Sequence, residues 1–243
     1  MGKLIVITSG KGGVGKSTVA VGLASALNNG KKSVLLIDAD AGLRCLDLML
    51  SASENLVFDL ADVVLGNATP SQAIYSVNGE GLYLLAAPSK ENSVENAKIS
   101  QCINELADSY DYVIVDCSAG YNEELCSSFS KQTQFLIVTN TDAVATRDAF
   151  FIGEMLRKYE FKNLSMIVNC LKISDADEFK INIDNIIDET YIRLLGLIPF
   201  DMQVKKAAFS GKLIKFGRAA MAFQRIAARV DGNEIPLPEC KKI

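Results

Sequence analysis

A glycine-rich stretch between an apolar run and a helical pattern constrains this 243-residue chain more than any other feature. Residues 10–17 match G-x-x-x-x-G-K-[ST], directly after the apolar run Leu4–Thr8 and at the start of the helical segment Ser17–Asn28. Glycine adopts backbone conformations closed to other residues, so consecutive N–H groups of such a loop can point inward at a phosphate. The sequence therefore predicts a strand, a phosphate-binding loop and a helix, in that order.

The side chains of this loop complete the predicted site. Lys16 is expected to reach the β- and γ-phosphates of a nucleotide, and the Ser17 hydroxyl is expected to bind Mg²⁺. The N-terminus of the following helix adds a dipole that favours the phosphate charge. The loop residues expected to bind nucleotide are Gly10, Lys11, Gly12, Gly13, Val14, Gly15, Lys16, Ser17 and Thr18.

Short β-branched runs alternate with helical patterns along the whole chain. The predicted strands are Leu4–Thr8, Ser33–Asp38, Leu82–Ala86, Tyr112–Asp116, Gln134–Thr139, Ser165–Asn169 and Ile192–Ile198. The predicted helices are Ser17–Asn28, Leu56–Leu65, Val94–Asp108, Glu123–Lys131, Ala143–Lys158, Asp177–Thr190 and Gly217–Val230. Continuous apolar runs are typical of buried parallel strands. We therefore expect an α/β fold with one doubly wound, mostly parallel sheet and helices on both faces.

The composition excludes several classes of site. The chain has no histidine, which removes Ser-His-Asp and Cys-His catalysis and His-ligated zinc. Its six cysteines are scattered and form no C-x-x-C pair. No apolar run approaches the roughly 18 residues that span a bilayer. Any catalysis must therefore depend on carboxylates, lysines, backbone amides and a metal. We also expect the protein to be cytoplasmic.

Two aspartates come at the end of the second predicted strand, where ligands bind in open parallel sheets. Asp40 is expected to position or activate an attacking water. Asp38 is expected to pair with Lys11 or Lys16, or to support Mg²⁺. The alternative is that one of the two aspartates only caps the following turn.

A third aspartate, Asp116, ends the apolar run that starts at Tyr112. An apolar strand that ends in aspartate is a weak signal by itself. Behind a phosphate loop it indicates a carboxylate that holds Mg²⁺ through a water. The expected metal-binding residues are thus Ser17, Asp38 and Asp116.

The segment from Lys11 to Thr18 resembles the deviant Walker A motif of the MinD/ParA family of ATPases, which has a second lysine inside the loop. The resemblance extends from Met1 to about Pro236. It implies ATP and ADP as ligands and a homodimer when ATP is bound, in which Lys11 reaches the partner's phosphates. The catalytic residues are then expected to be Lys11, Lys16 and Asp40.

The two switch segments of that family are also recognisable, each with one departure. Residues 38–47 resemble the first switch but have Cys45 where the family has asparagine. Residues 116–120 resemble the second switch but have Ser118 in place of proline. The resemblance also implies that Asn169, Pro199 and Asp201 line the base pocket, and the Asn169 amide can offer a donor and an acceptor.

The C-terminal region differs from the rest of the chain in charge. Residues 201–243 hold nine Lys/Arg and four Asp/Glu in a chain of net charge −4. We expect residues 1–232 to form the P-loop ATPase domain and residues 233–243 a tail without an amphipathic membrane-targeting helix, because Pro236 and Pro238 interrupt it. Arg218, Arg225 and Arg229 could form a basic stripe on the last helix for DNA or anionic lipid, or could be merely solvated.

Three functions remain open on the sequence. The first is a switch that hydrolyses ATP slowly and places the division septum, with regulatory partners like MinE and MinC and a contact at the inner face of the cell membrane. The second is a ParA-like partition ATPase that binds nucleoid DNA. The third is an iron–sulfur carrier of the same superfamily, which would need cysteines at a dimer axis; Cys117 beside the second switch is the one candidate.

Overall fold

Short buried strands form the centre of the molecule. The computed structural model describes residues 2–29, 31–41, 44–77, 81–89, 94–120, 122–172 and 176–238. The strands in this part of the chain are Lys3–Thr8 (β1), Val34–Ala39 (β2), Tyr75–Val77 (β3), Leu82–Leu85 (β4), Tyr112–Cys117 (β5), Gln134–Thr139 (β6), Leu164–Leu171 (β7) and Leu194–Pro199 (β8). They form one sheet in the order β3-β4-β2-β5-β1-β6-β7-β8.

All neighbouring strands are parallel except β3, which pairs antiparallel with β4 at one edge. The predicted fold class is confirmed. The helices are Lys16–Asn28 (α1), Cys45–Met49 (α2), Leu60–Leu65 (α3), Pro70–Ala73 (α4), Asn96–Leu106 (α5), Glu123–Ser127 (α6), Ala143–Lys158 (α7), Ala176–Thr190 (α8), Met202–Phe209 (α9) and Arg218–Val230 (α10).

Alternate residues of each central strand serve two separate cores, one on each face of the sheet. In β1, Val6 packs with the core residues of α5 and α7, whereas Ile7 packs with those of α1 and α10. The contact between α1 and α10 is close: a Cβ added at Gly22 would lie 2.3 Å from the Phe223 ring. Glycine at this position therefore sets the spacing of the helix pair behind the phosphate loop.

The register of the central strands brings the predicted acids together. β5 lies between β1 and β2, and Asp116 is paired with Ile7 on one side and with Asp38 on the other. Because these strands are parallel, the loops that follow them leave from the same edge of the sheet. The phosphate loop and both acidic strand ends therefore meet there.

Some predicted boundaries were wrong, and local hydrogen bonds explain one of them. The predicted helix Leu56–Leu65 begins only at Leu60, because the Asp59 side chain accepts the N–H groups of Ala61 and Asp62. Asp62 in turn accepts the Asp59 N–H, which completes a capping box. The reciprocal hydrogen bonds of Asp59 and Asp62 thus fix the start of this helix. The spacing of apolar residues, taken alone, places that start too early.

The last helix also differs from its prediction. The helix begins at Arg218 and not at the predicted Gly217, and Phe216 before it is 82% exposed. Arg229 donates to the carbonyl oxygens of Leu195, Ile235 and Pro236 and so joins the start of the tail to β8. Arg229 therefore has a structural role, and its guanidinium is not simply solvated on the helix surface.

The tail itself is only partly described. Residues 233–238 have no regular secondary structure, and residues 239–243 lie outside the described part of the chain. The division at residue 232 stays a prediction. In the described residues, none of the helices is both long enough and apolar enough to cross a bilayer.

Candidate active site

The backbone of the glycine-rich loop has the conformation that the motif predicts. Gly13 and Gly15 have φ values of 79° and 94°, in the left-handed region that favours glycine. α1 begins at Lys16, and its N-cap residue, Gly15, offers no side-chain acceptor to the first N–H groups of the helix. Those N–H groups remain available for an anion at the helix N-terminus.

Two neighbouring segments hold the loop closely. A Cβ at Gly10 would lie 2.5 Å from the Asp148 Cβ on α7, and a Cβ at Gly15 would lie 2.3 Å from Asn169 Nδ2. The Asn169 side chain is buried and donates to the Val14 carbonyl oxygen at 2.8 Å. Asn169 thus binds the backbone of the phosphate loop through one N–H of its side-chain amide. Its role in base recognition stays a prediction, for which its carbonyl oxygen and its second N–H remain as contacting groups.

Lys16, Ser17 and Asp116 form the inner end of the site. Lys16 is only 8% exposed, and the Ser17 hydroxyl donates to the Asp116 carboxylate. Burial raises the pKa of Asp116 to about 7; the Ser17 hydrogen bond opposes this rise, the charge of Asp38 adds to it, and Lys16 lowers it. Within the described part of the chain, Asp116 Oδ1 has no hydrogen-bond partner.

The unpartnered Asp116 oxygen tests whether these residues fit a metal ion. A buried carboxylate oxygen without a partner is costly unless a cation or a bound water supplies one. Asp116 lies next to the Ser17 hydroxyl, and oxygen ligands of this kind suit Mg²⁺. The residues therefore fit the predicted metal, and the roles of Ser17 as a direct ligand and of Asp116 as a ligand through water stay predictions.

Asp38 lies beside Asp116 and is held by the backbone of the segment that follows β2. Its carboxylate accepts the N–H groups of Asp40 at 3.0 Å and Leu46 at 3.1 Å. Burial raises its pKa to about 6, these two hydrogen bonds lower it, and the charges of Asp40 and Asp47 raise it further. Asp38 therefore links the end of β2 to α2, and Asp40 lies just beyond the strand; Gly42 and Leu43 lie outside the described residues.

Lys11 forms an ion pair that the sequence did not predict. Its Nζ lies 3.1 Å from Asp142 Oδ2, and the two side chains are 37% and 44% exposed. Asp142 Oδ1 caps α7 by accepting the N–H groups of Val144 and Ala145. The hydrogen bond from Lys11 and these backbone donors lower the pKa of Asp142. The expectation that Asp38 might pair with Lys11 was wrong, because Asp142 holds this lysine.

The second switch is attached to the start of the loop. The Gly120 N–H donates to the Ser9 carbonyl oxygen at 2.8 Å, and the Ser9 hydroxyl donates to the Lys11 carbonyl oxygen at 2.9 Å. These two hydrogen bonds join the second switch to the start of the phosphate loop. Cys117, directly after Asp116, is buried. In the described residues no group of three or more Cys, Asp or Glu is arranged to hold a metal by itself.

The remaining predicted base-pocket residues lie at the end of β8. Pro199 is its last residue. Asp201 accepts the Gln203 N–H at 2.9 Å as the N-cap of α9, and its other oxygen accepts the Ala219 N–H at 3.2 Å. Asp201 thus fixes α9 to the start of α10. Its contact with a base stays a prediction.

Comparisons with known proteins agree with this geometry. The ParA family model, described as "NUBPL iron-transfer P-loop NTPase", matches residues 1–231. The septum site-determining protein MinD of Bacillus subtilis (strain 168) is 35% identical over 98% of this chain and 92% of its own length. The MinC:MinD cell division protein complex of Aquifex aeolicus superposes with a TM-score of 0.86 at 32% identity, covering 97% of this chain and 98% of that one.

A further similar structure was solved with a bound nucleotide. The septum site-determining protein MinD complexed with Mg-ADP from Pyrococcus horikoshii OT3 has a TM-score of 0.83 at 28% identity. The match covers 95% of this chain and 96% of that one. The similarity thus spans the sheet, the phosphate loop and the segments around it.

Proposed function

The chain belongs to the MinD/ParA family of P-loop NTPases, and on that premise we propose that it is a Mg²⁺-dependent ATPase switch that dimerises on ATP. In the cell it places the division septum. The observation that carries the proposal is the arrangement of two lysines on one loop, one buried beside Asp116 and one exposed on Asp142.

Each residue of the inner site has one task in this proposal. The N–H groups of the loop and the Lys16 ammonium bind the phosphates, and Ser17 and Asp116 would hold Mg²⁺. Bound Mg²⁺ would neutralise charge on the β- and γ-phosphate oxygens. The fit of the metal is supported by the unpartnered Asp116 Oδ1. Asp40 orients the attacking water, since it follows Asp38 at the edge where the γ-phosphate would lie.

Lys11 acts on the nucleotide of a second copy. Its ion pair with Asp142 is exposed on both sides, and exposed pairs hold their partners weakly. A triphosphate of another subunit offers more negative charge than one carboxylate and can displace it. A cation that arrives only in the dimer restricts hydrolysis to the dimer, which is the logic of an arginine finger.

The cellular role rests on the relatives. The B. subtilis relative is described as septum site-determining, and the Aquifex structure as a cell division complex of MinD with MinC. We infer that this protein likewise recruits regulatory proteins in its ATP-bound dimer and acts at the inner face of the cell membrane. ParA-like partition on nucleoid DNA is the alternative, since residues 202–230 hold seven Lys/Arg and no acid.

Iron transfer, named in the description of the family model, has less support. Among the cysteines of the described residues, Cys117 and Cys126 are buried, Cys45 and Cys102 are partly exposed, and Cys170 alone is exposed, so each subunit would supply one surface thiolate. A cluster shared across a dimer axis needs thiolates at the surface. A purified protein that is colourless after anaerobic reconstitution with iron and sulfide would agree with a switch, and a stable iron–sulfur absorbance would contradict it.

The proposed activity is tested by phosphate release from Mg-ATP at increasing protein concentration. If the active form is a dimer, the rate per molecule should rise with concentration and then level off. Removal of Mg²⁺ with EDTA should abolish the activity. A rate per molecule that is independent of concentration far below the dimerisation range would contradict hydrolysis in trans.

The cellular proposal needs a separate experiment. Depletion of the protein in its own host should produce septa away from their normal position, and the wild-type gene should restore them while a Lys16→Ala copy should not. Normal septa together with unequal inheritance of DNA would favour the partition function instead.

A further inference from the structure

Two helices from distant parts of the chain, α2 and α9, pack against each other and meet at their C-terminal ends. α2 ends at Met49 and α9 ends at Phe209. Two residues beyond each helix, Ser51 and Gly211 have φ values of 50° and 63°, in the left-handed region. A Cβ built on Gly211 would overlap the Ser51 hydroxyl and lie 2.6 Å from Ser51 Cβ. The two segments therefore touch without room for one methyl group between them.

The α9 side of this contact is fixed in place. The Lys212 N–H donates to the Ala207 carbonyl oxygen at 3.0 Å, which closes the end of α9 around Gly211. Leu213 and Ile214, which follow, pack against the core on the α1 face of the sheet. Gly211 thus lies between a closed helix end and buried anchors, so it cannot simply move away from Ser51.

The α2 side is held in the same way. The Ser51 N–H donates to the Leu48 carbonyl oxygen at 3.2 Å, and the Ala52 N–H donates to the Asp47 carbonyl oxygen at 2.8 Å. Leu50 and Ala52, on either side of Ser51, are buried. Rotation of the Ser51 hydroxyl would not make room for a methyl group on the facing glycine, because the Ser51 Cβ would stay where it is. A shift of Ser51 would therefore move α2 with it.

The other end of α2 is bonded to the candidate active site. The Leu46 N–H, in the first turn of α2, donates to Asp38 Oδ2 at 3.1 Å, and the Asp40 N–H donates to Asp38 Oδ1 at 3.0 Å. One carboxylate thus holds both α2 and the residue proposed to orient the attacking water. Because α2 has only five residues, a displacement at Ser51 reaches Asp38 through little more than one turn of helix.

We propose that Ser51 and Gly211 are positioning residues for ATP hydrolysis, because their contact sets the position of α2 and thereby that of Asp38 and Asp40. Coupling between two sites is reciprocal in free energy. A triphosphate with its Mg²⁺ changes the charge beside Asp38, and α2 then carries this change to the end of α9. This dependence on nucleotide rests on the proposed function.

A simpler explanation is that Gly211 only ends its helix, and Gly66 is the control for it. Gly66 directly follows α3 with a φ of 76°, in the same left-handed region, and nothing lies within 4 Å of a Cβ built there. Alanine at Gly66 therefore has a similar backbone cost to alanine at Gly211, but it meets no neighbouring segment. Comparison of the two alanine variants isolates the effect of the contact.

The first test is steady-state turnover of Mg-ATP, at protein concentrations where the rate per molecule has levelled off. Gly211→Ala should lower turnover on the order of ten- to a hundredfold, because small displacements of catalytic groups have effects of this size. Its affinity for Mg-ADP should change little, since the phosphate loop and Lys16 lie on other segments. Gly66→Ala should change neither quantity. Equal losses of turnover in the two variants would overturn the proposal.

An exchange of side chains separates the contact from general damage to the fold. Ser51→Gly removes the side chain that a methyl group on Gly211 would overlap, and a φ of 50° suits glycine. Ser51→Gly combined with Gly211→Ala should therefore recover most of the turnover that Gly211→Ala loses. Thermal unfolding of each variant shows that it is folded. A double variant as slow as Gly211→Ala alone would contradict the contact as the cause.

Hydrogen exchange tests the opposite direction of the coupling. In Asp40→Ala, which should retain ATP, residues 202–214 should exchange at different rates with Mg-ATP and with Mg-ADP. Adding Ser51→Gly should shrink this difference severalfold. An undiminished difference would overturn the inference, and so would no difference while nucleotide protects residues 10–20. No protection of residues 10–20 either would contradict the proposed function itself, and with it the coupling to nucleotide.

Discussion

The two ends of the phosphate loop place their lysines in opposite environments. Lys16 at the inner end is 8% exposed and lies beside Ser17 and Asp116, whereas the side chain of Lys11 at the outer end is 37% exposed and paired with Asp142. The inner lysine is surrounded by the groups that we propose hold a nucleotide in the same chain. The outer lysine forms an exposed ion pair with Asp142, so a second subunit can reach its ammonium group. In the proposed function, one short segment thus holds both the lysine that binds the nucleotide and the lysine that activates hydrolysis.

Removal of the outer lysine should have the largest effect on turnover. Lys11→Ala should lower the turnover of Mg-ATP by about 10³- to 10⁵-fold, the range expected for a cation supplied in trans. The dissociation constant for Mg-ADP should change little, since the subunit's own phosphates are held by Lys16. Phosphate release and calorimetric titration measure the two quantities, with Lys162→Ala as the control lysine. A large loss of ADP affinity would show that Lys11 acts in cis.

Asp40 tests whether activation needs a water-positioning carboxylate in addition to the lysine. Asp40→Ala should slow turnover by about 10²- to 10⁴-fold, because general-base positioning contributes in that range. ATP binding and dimerisation should persist. Single-turnover phosphate release with labelled ATP gives the rate. Cleavage at the normal rate would show that the assignment of Asp40 is wrong.

The inner lysine should show the opposite pattern. Lys16→Ala should weaken Mg-ADP binding on the order of 10²- to 10³-fold, since it removes a buried cation from two phosphates. Hydrolysis should be lost with binding. Calorimetry in the presence of Mg²⁺ tests this at protein concentrations near the new dissociation constant. Unchanged ADP affinity would reverse the roles given to the two lysines.

Asp116 should make the stability of the inner site depend on pH. Its pKa in the folded protein is about 7 against an ordinary value of 3.8, so the folded state binds the proton more tightly than the unfolded state. This contribution to stability is present in full below about pH 4 and is lost as pH rises through 7. Without nucleotide or metal, Asp116→Asn should therefore be more stable than the wild type at pH 8, by up to about 4 kcal/mol, and the difference should shrink at pH 5.

Urea unfolding at the two pH values measures this difference. The same variant should bind Mg-ADP more weakly, because an amide cannot replace a carboxylate toward Mg²⁺. A wild type that is more stable than Asp116→Asn at pH 8 in EDTA would mean that the buried carboxylate is already well compensated by its protein neighbours.

The smallest expected effect is that of Asp142, the carboxylate that pairs with Lys11. Asp142→Asn keeps a good N-cap for α7 but removes the charge. ATP-dependent dimerisation should tighten by roughly two- to fivefold, because Lys11 no longer has to leave an ion pair. Analytical ultracentrifugation over a concentration series measures the change. Weaker dimerisation would assign Asp142 a contact in the dimer itself.

Much of this account was accessible from the sequence, for physical reasons that can be stated. The apolar runs of β1, β2 and β5 and the glycine pattern fix the sheet and the loop, because both depend on local residue types. The positions of Asp38 and Asp116 followed from parallel strands that end at one edge. The capping box at Asp59, the short antiparallel β3 and helix α9 were missed, because their signals are brief or depend on tertiary contacts.

The partners of individual side chains were less accessible. Asn169 bonds to Val14 across 155 positions of sequence, and Asp142 meets Lys11 only because β6 lies next to β1. No local pattern reports such contacts. Asp142 could have been noticed as an N-cap before the predicted helix Ala143–Lys158, but its pairing with a lysine of the phosphate loop needs the order of the strands.

The mass of the Asp40→Ala protein in solution shows whether bound ATP joins two copies of the chain. Light scattering during size-exclusion chromatography should give a dimer with Mg-ATP and a monomer with Mg-ADP or without nucleotide. Adding Lys11→Ala should return the ATP-bound protein to the monomer. A monomer under all three conditions would contradict the action of Lys11 in trans, and so would a dimer whose mass is indifferent to the nucleotide.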